Sequence, residues 1–290
     1  MSGTFTEAWY RLFLRVFPAA HREEYGAEIL GTLMNDTPRR VPSLRETTGL
    51  VTAGFATRAR KAAEGPVPWW ADGVHLGLLT LALANLAYGI ADQASPWWLA
   101  VSAMLVIALM RGWSLATLPL ALVVAFSTSR AMIFGFEATY WAPFFGPAYY
   151  NWISLAPYGL LAAGAVILAA RRSRNLRTRP WWWLAIPAAA LVLAYTPDVR
   201  EYGPIWQLVR AGTEGVLLLA GVWATAVARS PRWALAAATY VLPGVASALT
   251  NPPTSAQDTG YWLTLAGLLL VMAATATRSA TRTLDSSPGR

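Results

Sequence analysis

The chain has 290 residues, of which 56% are hydrophobic and 13% are charged, whereas about 25% of residues in ordinary soluble domains are charged. It contains no cysteine and only two histidines, which excludes disulfides, thiolate metal sites, cysteine nucleophiles and histidine-rich metal centres. The net charge of +8 lies mainly on one side of the predicted membrane. We therefore interpret it as a topology signal and expect no nucleic-acid partner.

Residues 1–66 differ from the rest because they mix acidic and basic side chains and contain no long apolar run. The spacing of their apolar residues predicts amphipathic helices at about 5–17, 19–35 and 43–61. These helices are too short and too polar to cross a bilayer. We interpret them as a small cytoplasmic three-helix module, although the first helix could instead lie in the membrane interface. Capping boxes mark the starts of the first and third helices, at Thr4 with Glu7 and at Ser43 with Glu46.

The remainder, 67–278, contains eight apolar segments that we interpret as membrane spans. The second is short and could fuse with the third across Arg111 and Gly112 into one tilted helix. The charges favour eight separate spans, because seven would place the arginine cluster at 171–179 on the opposite side from the module. The predicted spans are about 69–91, 97–110, 112–128, 153–170, 181–196, 206–228, 233–250 and 261–277.

Eight spans place 20 of the 23 basic residues on one side and leave Arg130, Arg200 and Arg210 on the other. Because basic residues concentrate in cytoplasmic segments, both termini are expected in the cytoplasm. The predicted fold is therefore all-α, an eight-helix bundle with an N-terminal helical module and a disordered cytoplasmic tail at 279–290. We expect a multi-pass protein of the bacterial inner membrane, surrounded by membrane lipids.

Ionisable side chains within the spans are candidate functional residues, because a charge is costly inside a bilayer. Glu214 is the deepest, and Arg210 lies one turn earlier on the same helix face. The two form either a self-neutralised structural pair or a proton or substrate site. Asp72 and His75 lie one turn apart at the inner end of the first span, where they could relay protons or form an interfacial pair. Asn85 is the other polar candidate near the midplane.

The outer segment at 129–152 is rich in aromatic residues, and its charged residues are Arg130 and Glu137. This composition predicts an interfacial helix on the outer leaflet. The functional alternative is a lid over a lipid-facing cavity, in which Tyr140 and Trp141 would accompany the two charged residues.

Known catalytic motifs are absent from the sequence. It lacks the glycine-rich phosphate loop of ATPases and the GxSxG and HExxH motifs of hydrolases. Gly73 and Gly77 form a GxxxG pattern, which indicates close helix packing rather than chemistry. We therefore predict no catalytic residue, metal ligand or cofactor, and a non-enzymatic role is favoured.

Two short runs near the N-terminus carry a resemblance. Residues 10–18 read YRLFLRVFP and residues 22–30 read REEYGAEIL. They resemble the helical module at the start of many actinobacterial integral membrane proteins and orphan permeases associated with PadR-type regulators. Phe17 and Ile29 replace the tyrosine and methionine of that pattern, and the resemblance covers about residues 5–60. It implies a cytoplasmic interaction module, whose docking candidates on the apolar helix faces are Trp9, Phe13, Tyr25 and Ile29.

The sequence favours a membrane protein that signals or docks a cytoplasmic partner, either a regulator or an ATPase, through this module. A permease-like transport subunit or a small exporter of amphiphilic molecules is the alternative. A membrane enzyme acting on lipid-like substrates, with Asp72, His75 or Glu214 as acid or base, is a second alternative. A transporter needs polar residues near the midplane, whereas an enzyme needs several convergent acids, bases or metal ligands.

Overall fold

The computed structural model describes residues 3–35, 41–64, 67–91, 93–134, 152–171, 176–196, 203–253 and 255–285. Within these ranges the backbone alone is described for 3–4, 203–207, 210 and 278–285. All regular elements of the described residues are helical, in agreement with the all-α prediction. The chain divides into two compact units, one formed by 1–66 with 227–229 and the other by 67–226 with 230–290.

Three helices form the N-terminal unit, namely α1 (Gly3–Leu14), α2 (Ala19–Asn35) and α3 (Leu44–Ala63). Ser43 caps α3 by accepting a hydrogen bond from the backbone N–H of Glu46 at 3.5 Å, which is one half of the predicted capping box. The backbone N–H of Ser43 donates to the hydroxyl of Tyr10 at 3.1 Å, and that hydroxyl donates to the carboxylate of Glu46. The side chain of Thr4, which would form the other capping box, lies outside the described residues. The core of the unit contains the buried residues Tyr10, Leu14, Phe17 and Leu50.

Helix α1 ends at Leu14, three residues earlier than predicted. The next three backbone N–H groups bond to carbonyls three residues back, a tightened turn that is common at helix ends. The guanidinium of Arg58 on α3 donates to the carbonyl oxygens of Arg15 at 2.9 Å and Phe17 at 3.3 Å, and to that of Val16. These carbonyls are therefore satisfied by α3 instead of by further helix, and burial lowers the pKa of Arg58.

Residues 1–66 expressed alone should be soluble and helical by circular dichroism, because the unit has its own core. In this fragment Arg58→Ala should lower the free energy of unfolding by about 1–2 kcal/mol, since it removes charge-assisted hydrogen bonds to the end of α1. Urea unfolding followed by circular dichroism measures the change.

Arg60→Ala is the matched control, because Arg60 lies on the same helix and is likewise exposed, but its side chain forms no hydrogen bond to the end of α1 in the described part of the chain. It should change the unfolding free energy by less than about 0.5 kcal/mol. Equal losses in the two variants would contradict the capping role of Arg58. A fragment recovered only with membranes would favour the interfacial alternative for α1.

Eight apolar helices form the described part of the second unit. Six of them are long and apolar enough to cross a membrane, which is the pattern of a multi-pass membrane protein. The other two, Pro96–Arg111 and Trp181–Ala194, are shorter. In chain order they are α4 (Trp69–Ala91), α5 (Pro96–Arg111), α6 (Ser114–Phe134), α7 (Ala156–Ala170), α8 (Ala185–Ala194), α9 (Gly203–Ala228), α10 (Arg232–Thr250) and α11 (Ala256–Asp285), and 3₁₀ turns at Trp152–Leu155 and Trp181–Leu184 lead into α7 and α8.

Helix α4 is at the centre of this unit, where it packs against α5, α7, α8 and α10. Its apolar residues surround the helix axis on all sides and most are buried, as expected of a helix enclosed by others. A β-carbon at Gly73 would lie 3.1 Å from the carbonyl oxygen of Arg232, and one at Gly77 would collide with the side chain of Thr239. The GxxxG pattern therefore lies at a close approach between α4 and α10.

Helices α5 and α6 are separate, as predicted, and Gly112 lies between them. It ends α5 in the left-handed conformation, with φ of 70°, and a β-carbon there would lie 2.6 Å from the carbonyl oxygen of Leu176. Glycine suits this position because both the backbone angle and the close approach disfavour a side chain.

The last three helices share a smaller core formed by Leu218, Val241, Leu265 and Met272 with their neighbours. Helix α11 continues through Asp285, so residues 279–285 are helical although a disordered tail was predicted. This stretch lacks glycine and proline, the residues that most disfavour helix. Residues 286–290 lie outside the described part of the chain.

Candidate functional site

Asp72, in the first turn of α4, is the acceptor in a buried ion cluster. One carboxylate oxygen accepts from the guanidinium of Arg179, and the other accepts from Nη1 of Arg232 at 3.2 Å. The side chains of Asp72, Arg179 and Arg232 are only 7%, 9% and 3% exposed. The cluster joins α4, the segment before α8 and the start of α10. Burial lowers the pKa of Arg179, and the charge of Asp72 counteracts this effect.

His75 lies one turn further along α4 and is fully buried. Its Nε2 is 2.7 Å from the carbonyl oxygen of Leu109, which can only accept, so Nε2 carries the hydrogen. Nδ1 then accepts from Nη2 of Arg179 at 3.3 Å and the imidazole is neutral. In the described part of the chain no hydrogen bond joins Asp72 to His75. Arg179 bridges the two residues that were predicted to pair.

Further contacts gather several helix ends around this cluster. The backbone N–H of Arg179 donates to the carbonyl of Met110 at 2.7 Å, next to the end of α5. Arg111 lies over the ring of Trp181 at 4.7 Å, and Arg171 lies over the ring of Trp70 at 4.9 Å. The starts of α4, α8 and α10 and the ends of α5 and α7 therefore meet at one end of the unit. We call this the basic end, and its arginines among the described residues are Arg111, Arg171, Arg177, Arg179 and Arg232.

Glu214, on α9, is held by two tyrosines from neighbouring helices. Tyr240 on α10 donates its hydroxyl to Oε1 at 2.6 Å, and Tyr261 on α11 donates to Oε2. The carboxylate thus links the last three helices inside a candidate span. The side chain of Arg210 lies outside the described residues, so the predicted Arg210–Glu214 pair stays a prediction.

We expect Tyr261→Phe to destabilise the protein by about 1–3 kcal/mol, because a partly buried carboxylate would lose a hydroxyl donor. Thermal unfolding of the purified protein in detergent measures the loss. Tyr195→Phe is the control, since Tyr195 is 72% exposed and should give a neutral change. If the two variants unfold at the same temperature, Tyr261 does not support Glu214.

Asn85, the third polar candidate, bridges two helices. Its Nδ2 donates to Oγ of Ser102 on α5 at 3.0 Å, and both side chains are buried. Such an interhelical amide–hydroxyl bond typically contributes about 0.6–2 kcal/mol in a membrane protein. The contact supports packing of α4 against α5.

Of the predicted outer segment, residues 129–134 and 152 are described, and Arg130 is the lid candidate among them. Arg130 lies on α6, which extends to Phe134 instead of ending at the predicted residue 128, since no glycine interrupts it before Gly135. Arg130 is exposed beside an opening of about 490 Å³ lined by Phe126, Ser129, Ile133 and Phe134. The other lid candidates, Glu137, Tyr140 and Trp141, lie outside the described residues.

The docking candidates of the N-terminal unit divide into two groups. Trp9 donates its indole N–H to Thr47 at 3.1 Å, and Phe13 and Ile29 pack against the core. Tyr25 is exposed and lies against the ring of His21.

A groove of about 540 Å³ lies between α1 and α2, and α2 has no buried residue. The groove is lined by Glu7, Arg11, Leu14, Arg22, Gly26, Ala27, Leu30, Gly31 and Met34.

Sequence reasoning missed the partners of the candidate residues. Arg179 and Arg232 lie 107 and 160 residues from Asp72, and Tyr240 lies 26 residues from Glu214. The predicted topology offers a signal for the two arginines, because it places both beside the inner end of the first span.

The described residues contain no group of three or more His, Asp and Glu side chains placed to hold a metal ion. The polar clusters instead join helices, with each carboxylate bound by neighbouring donors. Comparison of the chain with protein-family models, curated proteins and solved structures finds no match.

Proposed function

We propose that this chain is a multi-pass protein of the bacterial inner membrane that docks a cytoplasmic protein through its N-terminal module. The observation that carries the proposal is the groove between α1 and α2. A helix with no buried residue that still presents Leu30 and Met34 to an open groove leaves apolar surface for a partner to cover.

The occupant that fits this groove is an amphipathic helix of the partner. The partly buried side chains of Leu30 and Met34 supply apolar contacts, while Gly26 and Gly31 lack side chains that would hold a helix away. A β-carbon at Gly31 would meet nothing within 4 Å. Glu7, Arg11 and Arg22 give the groove charges of both signs, which suits a partner helix with a polar face. A transcription regulator or an ATPase is the class of partner we propose.

For the membrane unit we propose eight spans with both termini in the cytoplasm. Support comes from the basic end, where α4 starts, α5 ends, α7 ends and α8 starts. Helix α4 starts at this end and α5 ends there, so the two helices are antiparallel. The shorter α5 lies along the longer α4. The 20 of 23 basic residues that this arrangement assigns to one side support placing that side in the cytoplasm.

Site-specific photocrosslinking in intact cells tests the docking proposal. A photoreactive residue at position 27 or 31, in the groove, should capture the same cytoplasmic protein. Positions 52 and 53, which are exposed on α3, are the controls and should not capture it. Gly31→Glu should abolish capture at position 27, because residue 31 is exposed in the groove and a β-carbon there meets nothing within 4 Å. Equal capture from both faces, or capture that survives Gly31→Glu, would contradict docking in the groove.

Reporter fusions test the topology separately. Fusions after Arg174 and after Arg282 should both report a cytoplasmic location. A periplasmic signal at either position would rule out the eight-span arrangement, whatever the crosslinking result.

A further inference from the structure

We propose that the basic end carries a binding site for the anionic phosphodiester headgroup of a phospholipid, formed by Arg111, Arg171 and Arg177. The inference rests on the proposed membrane location of the second unit and is independent of partner docking by the module. A lipid phosphate is the chemistry that these guanidinium groups fit, because arginine presents several N–H donors to phosphate oxygens.

The three arginines differ from the other two at the basic end. Arg179 and Arg232 are buried and share the carboxylate of Asp72. Arg111, Arg171 and Arg177 are exposed, and no carboxylate in the described part of the chain forms an ion pair with them. The sequence from 171 to 179 contains five arginines in all and no acidic residue. The surface therefore concentrates positive charge that its own protein neighbours do not neutralise.

Tryptophan rings next to the arginines indicate the depth of these guanidinium groups relative to the lipid headgroups. The guanidinium of Arg111 lies over Trp181, and that of Arg171 lies over Trp70. Trp181 is about half exposed and Trp70 is partly buried against the core, as indole rings are at the level of lipid headgroups. The arginines are thus held where the phosphates of the adjacent leaflet lie.

The backbone around the arginines is fixed by contacts with its surroundings. Gly112 lies against the carbonyl of Leu176, which brings the residues next to Arg111 and Arg177 together. The backbone bond from Arg179 to Met110 and the buried ion pair with Asp72 hold the same segment to α5 and α4. Charges placed by such a scaffold favour one headgroup at a defined site over a diffuse attraction to many lipids.

Lipid titration of the purified full-length protein tests the site. The protein in a non-ionic detergent is titrated with phosphatidylglycerol or with phosphatidylcholine of the same acyl chains, and native mass spectrometry counts the bound lipids. We expect one phosphatidylglycerol to bind preferentially. Replacing Arg111, Arg171 and Arg177 together with Gln should weaken that binding roughly 100-fold, at about fivefold for each charge.

The matched control replaces Arg15, Arg45 and Arg60 with Gln, which removes the same charge from exposed positions of the N-terminal unit. This variant should bind the anionic lipid like the parent. An equal loss in both triple variants would show diffuse attraction by net charge and overturn the proposal. Arg177 forms no cation–π contact in the described part of the chain. The single variant Arg177→Gln should therefore fold like the parent and still weaken binding several-fold.

Soluble sn-glycerol 3-phosphate separates a lipid site from a general phosphate site. It should not displace the bound phosphatidylglycerol at equal concentration, because it lacks acyl chains. Displacement at equal concentration, or equal binding of both lipids by the parent, would overturn the proposal. The reporter fusions decide the topology separately, so failure of the lipid site and failure of the membrane arrangement can be distinguished.

Discussion

Replacing Asp72 with asparagine should destabilise the membrane unit by about 3–5 kcal/mol. The reason is that Arg179 and Arg232 would lose the carboxylate that both bind in a buried position. Removing one partner of a buried ion cluster leaves charge without its compensation, and this costs more than the cluster contributes when intact. Thermal unfolding of the purified protein in detergent measures the loss.

Asp258→Asn provides a closely matched comparison. Asp258, like Asp72, is an aspartate in the first turn of an apolar helix, but it is exposed and bonds only to nearby Ser255 in the described contacts. Its replacement should cost less than about 1 kcal/mol. Similar losses in the two variants would mean that the ion cluster does not stabilise the unit.

Gly77→Ala should destabilise the protein by about 1–3 kcal/mol, a cost typical of overpacking in a well-packed interior. The added methyl group would collide with Thr239 on α10, and Thr is too short and stiff to move aside without a shift of the helix. Gly159→Ala is the control, because Gly159 lies within α7 and a β-carbon there meets nothing within 4 Å.

The control change should be neutral or stabilising by up to about 1 kcal/mol, since alanine favours a helix more than glycine does. Detergent unfolding of both variants gives the comparison. A stabilised Gly77→Ala protein would mean that α4 and α10 are further apart than the structure places them.

The helices were largely predictable because long apolar runs impose helix on a chain that must satisfy its backbone hydrogen bonds internally. The observed bounds of α4, Trp69–Ala91, coincide with those predicted. Errors arose where a distant contact or a weak local preference decides a boundary. Helix α1 ends early because Arg58, over 40 residues away, binds the carbonyls of Arg15 and Val16, which follow the last residue of the helix, and no local pattern encodes that contact.

The ionisable residues within the spans could be predicted as site candidates from the sequence, but the side chains that donate hydrogen bonds to them could not. Asp72, His75 and Glu214 are conspicuous because ionisable residues are rare in apolar segments. Arg179, Arg232 and Tyr240 are ordinary residues for helix ends and spans, and their roles depend on which helices become neighbours. The GxxxG pattern at Gly73 could indicate a close contact, but the sequence did not identify α10 as the helix in contact.

The two short helices have a consequence for the surrounding bilayer. Helix α5, with 16 residues, rises about 24 Å. The 3₁₀ turn and α8 together, with four and ten residues, rise about 23 Å. Both flank α4, whereas a typical hydrocarbon core is about 30 Å thick. In the eight-span arrangement, the bilayer would have to thin locally beside α5 and α8. Hydrophobic mismatch should therefore make the protein more stable in thin membranes with short acyl chains.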